Sequence, residues 1–387
     1  MYFNLLEYLN EITQMVDQRN CVDVLCIDLA RAFDTVSHDK LLYKLSKIGI
    51  GGNLLQWFRN FITGREQCIR VNSSTSPYGS VTSGIPQGTI LGPLFFIIYI
   101  DGLSKIVVNK INLYADDSKL YGLANNDFDK NVFQTDINQI YEFCRLWQLR
   151  INGSKCETLH FGTNNPNYLY AINQENVPIK NSYKDLGVMI SNDFSMTEHC
   201  NHVYRTASFR LKQFNVSFAC RNRSFRLFIF LTYIRPILEC NSQAWSPHLI
   251  RDINKIERVQ RRFTKTLGGL RNMSYTQRLA ELEIESLEQR RIFNDLVLMF
   301  KMVNGLVDVD ISHFFAFNNN NTRGHRFKLS VQFSRLDCRK YSFANRTIPI
   351  WNNLPPNVVE SLNVKLFKTR LSEVNLTVYC RGSAHTA

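Results

Sequence analysis

At 387 residues with 44% hydrophobic composition, the chain is long enough for two or three domains with real cores, which excludes a disordered tail. A formal charge of +13 favours a polyanionic partner, nucleic acid ahead of an anionic membrane surface, because each cation that neutralises a phosphate releases a condensed counterion. The ten cysteines form no Cys-x-x-Cys pair and no Cys/His string at zinc spacing, which excludes a disulfide framework and a zinc knuckle.

Leu5, Leu9, Ile12 and Val16 recur at helical spacing, and Glu7, Glu11 and Asp17 on the same segment exclude a secretory signal. The strand Cys21 to Asp28 follows, with Val22, Val24, Cys26 and Asp28 on one face, so an apolar stripe ends in a carboxylate. Ser37 caps a helix carrying Leu41, Leu42, Leu45 and Ile48 to a stop at Gly49, and Asn53 caps another, Leu54 to Phe61. Gln67 to Val71 and Tyr78 to Val81 read as a hairpin leading into Ser83-Gly84-Ile85-Pro86-Gln87-Gly88. A buried helix around Leu91 to Ile100 comes next. Ile111 to Tyr114 and Lys119 to Gly122 form a second hairpin whose turn holds Asp116 and Asp117.

A helix of roughly Asp127 to Trp147 faces inward with Val132, Ile137, Ile140, Cys144 and Trp147, then returns to strands Lys155 to Phe161 and Leu186 to Ile190. His199, Cys200 and His202 read as ordinary side chains at a helix start. Past residue 195 helical, Arg-rich segments dominate to about 306. Asn318 to Asn321 is a short polar spacer, and Ser342 to Leu371 carries mixed signals that assign no element. The order predicts an α+β fold, an antiparallel sheet with helices on one face followed by a mostly helical region. The apolar runs Leu91 to Ile100 and Leu227 to Leu238 fall short of the ~20 residues that cross a bilayer, so a soluble intracellular protein, cytoplasmic or nuclear, is expected.

An Asp-Asp pair alone is more often a solvated turn. At the tip of an apolar hairpin, however, the two carboxylates repel, and a divalent cation relieves that repulsion. Asp28, at the end of a buried strand, likewise calls for a counter-charge, and hard oxygen ligands of this kind suit Mg²⁺.

Ile27-Asp28-Leu29-Ala30-Arg31-Ala32-Phe33-Asp34-Thr35-Val36-Ser37-His38, then Ser83-Gly84-Ile85-Pro86-Gln87-Gly88-Thr89-Ile90-Leu91-Gly92-Pro93, then Tyr114-Ala115-Asp116-Asp117 resemble motifs A, B and C of reverse transcriptases from non-LTR (LINE-type) retrotransposons, in the family order. The resemblance implies a polymerase palm in which Asp28, Asp116, Asp117 and the Leu29 carbonyl hold two Mg²⁺ ions, with Mn²⁺ as the alternative metal. It implies that Phe33 is a steric gate selecting deoxynucleotides, that Gln87 lines the nucleotide pocket, and that Pro86 and Gly88 shape the loop the nucleotide approaches. Asp34 matches a family acid that is not a metal ligand. Lys155 resembles the motif D lysine that protonates pyrophosphate, although a solvated lysine at a strand start fits as well. Tyr183-Lys184-Asp185-Leu186-Gly187-Val188 resembles the primer grip, by a weaker match.

Arg251, Lys255, Arg258, Arg262 and Lys265 interleave with Ile253, Ile256, Phe263 and Leu267 on a helix whose basic side suits a template-primer backbone. A solvated basic face is the alternative. The implied partners are an RNA template, a DNA primer and a dNTP, with no membrane. The implied organisation is 1–194 palm with residual fingers, 195–306 basic thumb-like region, and 307–387 C-terminal extension of unclear fold. Because the family's fingers strands lie well upstream of motif A, the chain is expected to be an N-terminally truncated copy of such an element. That sets a catalytically silent nucleic-acid-binding relic beside RNA-directed DNA polymerisation, while Phe33 argues against an RNA-dependent RNA polymerase.

Overall fold

The computed structural model describes residues 2–220, 222–318 and 324–382, and they divide into two compact units, residues 20–181 and residues 1–19 with 182–387. The first unit is built on a four-stranded antiparallel sheet in the order Glu157–Phe161, Val22–Ile27, Asp117–Leu123, Lys110–Tyr114. Val22–Ile27 sits between two partners, which is why it reads as an almost unbroken apolar run. Leu25, Ile27 and Leu120 pack with Phe133, Ile137 and Ile140 of the helix Asp127–Leu146 and with Phe95, Phe96 and Tyr99 of Leu91–Ile100. Each such side chain removed from water contributes about 1.5–3 kcal/mol.

Asp23 interrupts this strand without being exposed at all. Its carboxylate accepts from His160 Nδ1 at 2.7 Å, Asn165 Nδ2 at 2.8 Å and the Tyr170 hydroxyl at 2.6 Å. A buried carboxylate with three donors is a satisfied structural group, and burial beside it pushes the Tyr170 phenol up.

Several elements differ from the sequence expectation. The first hairpin is two short ladders, Glu66–Gln67 with Gly79–Ser80 and Arg70–Val71 with Ser74–Thr75. The helix expected from Asn53 runs Gly52–Ile62 from Gly51 as N-cap, so Asn53 lies inside it. Phe133, not Val132, is buried on Asp127–Leu146, because Phe133 lies four residues before Ile137 on the face shared with Ile140 and Cys144. Lys155 ends a 3₁₀ turn, Gly153–Lys155, before its strand begins at Glu157. Leu186 is in a turn: Ser182–Asp185 pairs with Val188–Ser191, and Leu186 and Gly187 adopt φ 45° and 88°, the two positive angles a tight hairpin turn requires.

The second unit is helical apart from the Ser182–Ser191 hairpin and one isolated bridge. Leu5, Leu9, Ile12 and Val16 are buried on the helix Tyr2–Asp17, whose Asn10 and Asp17 bond to segments near residues 313, 336 and 339. His199 and Cys200 are buried in the first turn of Thr197–Ser217. The stretch Ser342 to Leu371 resolves into helices Phe343–Asn352, Pro356–Val359 and Val364–Ser372, which bury Trp351 and Phe367. Their shortness and the internal Pro349 blur the 3.6-residue period. Residues 319–321 of the expected polar spacer lie outside the described residues. Among the described residues no helix is long and apolar enough to cross a membrane.

Candidate active site

The register of Val22–Ile27 with Asp117–Leu123 closes on the pair Ile27–Ser118. One further step sets Asp28 beside Asp117 on one face of the sheet, the face that also holds Cys26 and its register partner Lys119. Tyr114 pairs with Asp117, so the hairpin turn consists of Ala115 and Asp116 alone. Ala115 adopts φ 53°, a conformation that glycine or asparagine normally supplies and that costs an alanine about 1–2 kcal/mol. Strain of this kind persists only where the surroundings over-determine it. The turn leaves Asp116 half-buried and Asp117 exposed.

Asp28 has a 35% exposed side chain, and its Oδ2 lies 3.8 Å from Lys155 Nζ, itself 69% exposed. The structure thus brings together two residues 127 positions apart in a loose, solvent-screened pair. The Asp28 carbonyl accepts from Asn152 N at 2.8 Å. Antiparallel alternation then turns the Leu29 carbonyl away from Arg150–Ile151, the strand with which Leu29 and Ala30 pair. Three carboxylates and one carbonyl at a single sheet end match a hard divalent ion in donor type. Among the described residues, however, no group of three or more His, Cys, Asp or Glu side chains is arranged to hold a metal, and the cation beside Asp28 is Lys155.

The loop after Asp28 and the loop 83–88 are stitched together by backbone. Gly84 N donates to the Val36 carbonyl at 2.8 Å, Ile85 N to Phe33 at 2.9 Å, and Ser83 Oγ to Asp34 at 2.9 Å. Gly84 stands at φ 85°, and a Cβ there would lie 2.8 Å from the Asp34 carbonyl oxygen, so only glycine fits. Its own carbonyl accepts from Arg65 Nη2 at 2.6 Å and contacts His38 Nε2 at 2.8 Å. Gln87 Nε2 donates to Asp34 Oδ1 at 2.8 Å.

Arg31, Asp34, Arg65, Pro86 and Gln87 line a cleft of about 760 Å³. Phe33 is not on its wall: it is half-buried and stacks on Phe96, ring centroids 4.7 Å apart at 26°. Gly88 also lies off the wall, at φ 73° in open space.

On the helix Ile250–Lys265, Arg251, Arg258, Arg262 and Lys265 are exposed while Ile253, Ile256 and Phe263 are buried. Lys255 is half-buried and donates to Asn201 Oδ1, Arg251 donates to Thr197 Oγ1 at 3.2 Å, and Arg262 lies over the Tyr204 ring at 5.8 Å. Sequence reasoning passed over His38, Arg65 and Lys119. The first two hold the Gly84 carbonyl, and their only signal was the glycine they serve. Lys119 is a 2% exposed lysine on the carboxylate face of a strand, where a buried cation calls for a counter-charge.

Residues 3–190 match the family model "Reverse transcriptase (RNA-dependent DNA polymerase)". By homology this region is related to the reverse transcriptases of retrotransposons. It is 24% identical over 281 residues to the "Probable RNA-directed DNA polymerase from transposon X-element" of Drosophila melanogaster, covering 68% of this chain and 30% of that protein. It is 25% identical over 258 residues to the "RNA-directed DNA polymerase from mobile element jockey" of Drosophila funebris, covering 63% and 28%. A shorter stretch of 155 residues is 32% identical to the "Retrovirus-related Pol polyprotein from type-1 retrotransposable element R2" of Popillia japonica, 36% of this chain and 25% of that one. The chain therefore spans less than a third of the length of these relatives, all at low identity. Among solved structures, telomerase from Candida albicans in complex with a TWJ fragment of telomeric RNA aligns at TM-score 0.43 and 11% identity, over 70% of this chain and 52% of that one.

Proposed function

We propose that this chain carries out RNA-directed DNA polymerisation for a retrotransposon, transferring a deoxynucleotide to a primer 3′-hydroxyl by the two-metal route. The observation that supports it most is the register that brings Asp28 and Asp117 to one sheet end beside the strained turn carrying Asp116. Asp28, Asp116, Asp117 and the Leu29 carbonyl would hold the divalent ions, which when bound supply activation of the attacking hydroxyl and stabilisation of the departing pyrophosphate.

The remaining work falls to the chain's own side chains. Gln87, oriented by Asp34, presents its amide on the cleft wall to the incoming nucleotide. Pro86 and Gly88 give that loop its course, and Phe33, stacked on Phe96 off the cleft wall, would exclude a ribose 2′-hydroxyl on turning toward the cleft. Arg31, exposed on the same wall, offers a cation to the triphosphate. Lys155, whose ammonium lies 3.8 Å from Asp28, would give its proton to pyrophosphate. Residues 1–194 serve as palm, 195–306 as a thumb whose Arg251, Lys255, Arg258, Arg262 and Lys265 meet the template-primer backbone, and 307–387 as an extension.

Primer extension on an RNA template with dNTPs and Mg²⁺ tests the reading. Extension is expected from the unaltered chain and lost in Asp116→Ala; activity surviving that substitution would sink the site. The Lys155 contact with Asp28, and the lack of a metal-holding group among the described residues, favour one other reading, a nucleic-acid-binding relic. Its signature is template binding that weakens with salt and never leads to extension.

A further inference from the structure

Beyond residue 190, where the family match ends, a cavity of about 740 Å³ opens among the helices Ile250–Lys265, Leu287–Val303 and Phe343–Asn352 and the segment 331–334. Its size falls in the range of small-ligand sites, about 300–1,000 Å³. The two carboxylates on its wall are already engaged. Asp295 is forked by Arg346 at 2.9 and 3.1 Å, and Glu288 accepts the backbone N–H groups of Arg381 and Gly382 at 2.8 and 2.9 Å.

Two cations on the same wall have no such partner. Lys340 and Arg381 are exposed, form no ion pair among the described residues, and lie over the Tyr341 ring at 5.4 and 5.2 Å, a ring that also stacks on His248 at 4.3 Å. Inside, Asn345 is 7% exposed and donates Nδ2 to Ser334 Oγ at 2.6 Å. Phe333, on the rim, is 90% exposed.

We propose that this cavity binds a nucleotide, its base laid against Phe333 and the aliphatic wall of Ile292 and Ile350, and its phosphate held by Lys340 and Arg381. An aromatic rim beside two cations that form no ion pair among the described residues fits a planar, anionic ligand, whereas an acidic peptide would leave the aromatic rim unused. The nucleotide is either free or an unpaired residue of a single strand. The site does not depend on the metal-site reading above.

The test uses the full chain, cytidine 5′-monophosphate by calorimetry, and an oligocytidine strand carrying one 5-iodocytidine for ultraviolet crosslinking and peptide mapping. An adduct on Phe333 or Tyr341 is expected, and both Phe333→Ala and the pair Lys340→Ala, Arg381→Ala should lower affinity about tenfold, the loss of one such contact. These side chains are exposed, and an unchanged melting temperature will show that the variants fold. Binding of the monophosphate marks a free-nucleotide site; a mapped adduct without it marks a strand site. Adducts confined to the helix Ile250–Lys265, or variants that bind within about twofold of the unaltered chain, would overturn the proposal.

Discussion

The sheet-based unit and the helical unit use charge in opposite ways. In residues 20–181 the carboxylates of interest stand at a strand end and in a turn, partly open to water, and Asp28 makes a long contact with Lys155. In the helical unit two carboxylates are sealed in. Glu257 is 1% exposed, takes the Tyr275 hydroxyl and the Leu287 N–H, and burial pushes its carboxyl up. Asp295, equally buried and pushed up by burial, is met by both arms of Arg346. Perturbed ionisation in this protein therefore marks packing as much as chemistry. Strand register and turn geometry, not the most shifted groups, single out the candidate site.

Substitutions can break that contrast at either end. The largest effect is expected from Asp28→Ala or Asp116→Ala, each cutting primer extension by about 10³-fold or more while leaving the urea unfolding midpoint unchanged, because preorganised electrostatics dominates such transfers. Removing a buried charge should do the reverse. Arg346→Ala strands Asp295 in the core and is expected to cost about 3–5 kcal/mol in urea unfolding, with little direct effect on the extension rate per folded molecule.

Gly84→Ala should sit between the two. Its Cβ would press on the Asp34 carbonyl at a positive φ, so a loss of about 1–3 kcal/mol and a raised KM for dNTP are expected together. If KM moves without stability, the loop acts on substrate alone.

The smallest effect is one of pH. Burial first, then His202 and Lys184, holds the His199 imidazole down to about 4. The unfolded chain takes up that proton nearer 6.5, so the contribution is present above 6.5 and lost as pH falls toward 4. Thermal melts across that window should fall less steeply in His199→Gln, and identical slopes would dismiss the group as the acid trigger.

Much of the site was legible because its residues come in contiguous runs. Asp28 to His38 and Tyr114 to Asp117 carry carboxylates, and Ser83 to Pro93 carries closely spaced glycines and prolines, each a local pattern that needs no partner to be recognised. The apolar stripe of the central strand and the 3.6-residue period of Asp127–Leu146 were legible for the same reason, since periodicity is a property of one segment. Asp23 was not, because its three donors come from residues 160, 165 and 170, and no local pattern marks a carboxylate as satisfied.

By itself, then, the sequence determined the alternation of strand and helix, the likeness of residues 3–190 to reverse transcriptases and the identity of the acidic residues, all of which follow from short-range pattern. Only the tertiary structure decided which of those residues meet. The strand before Asp28 and the strand that begins at Asp117 end together because they pair in the register that closes on Ile27–Ser118, Lys155 reaches Asp28 because a 3₁₀ turn follows the Arg150–Ile151 strand, and Phe33 rests on Phe96 instead of lining the cleft. Such meetings depend on long-range pairing and close packing, whose energies are set by neighbours far along the chain and leave no mark on the segment itself.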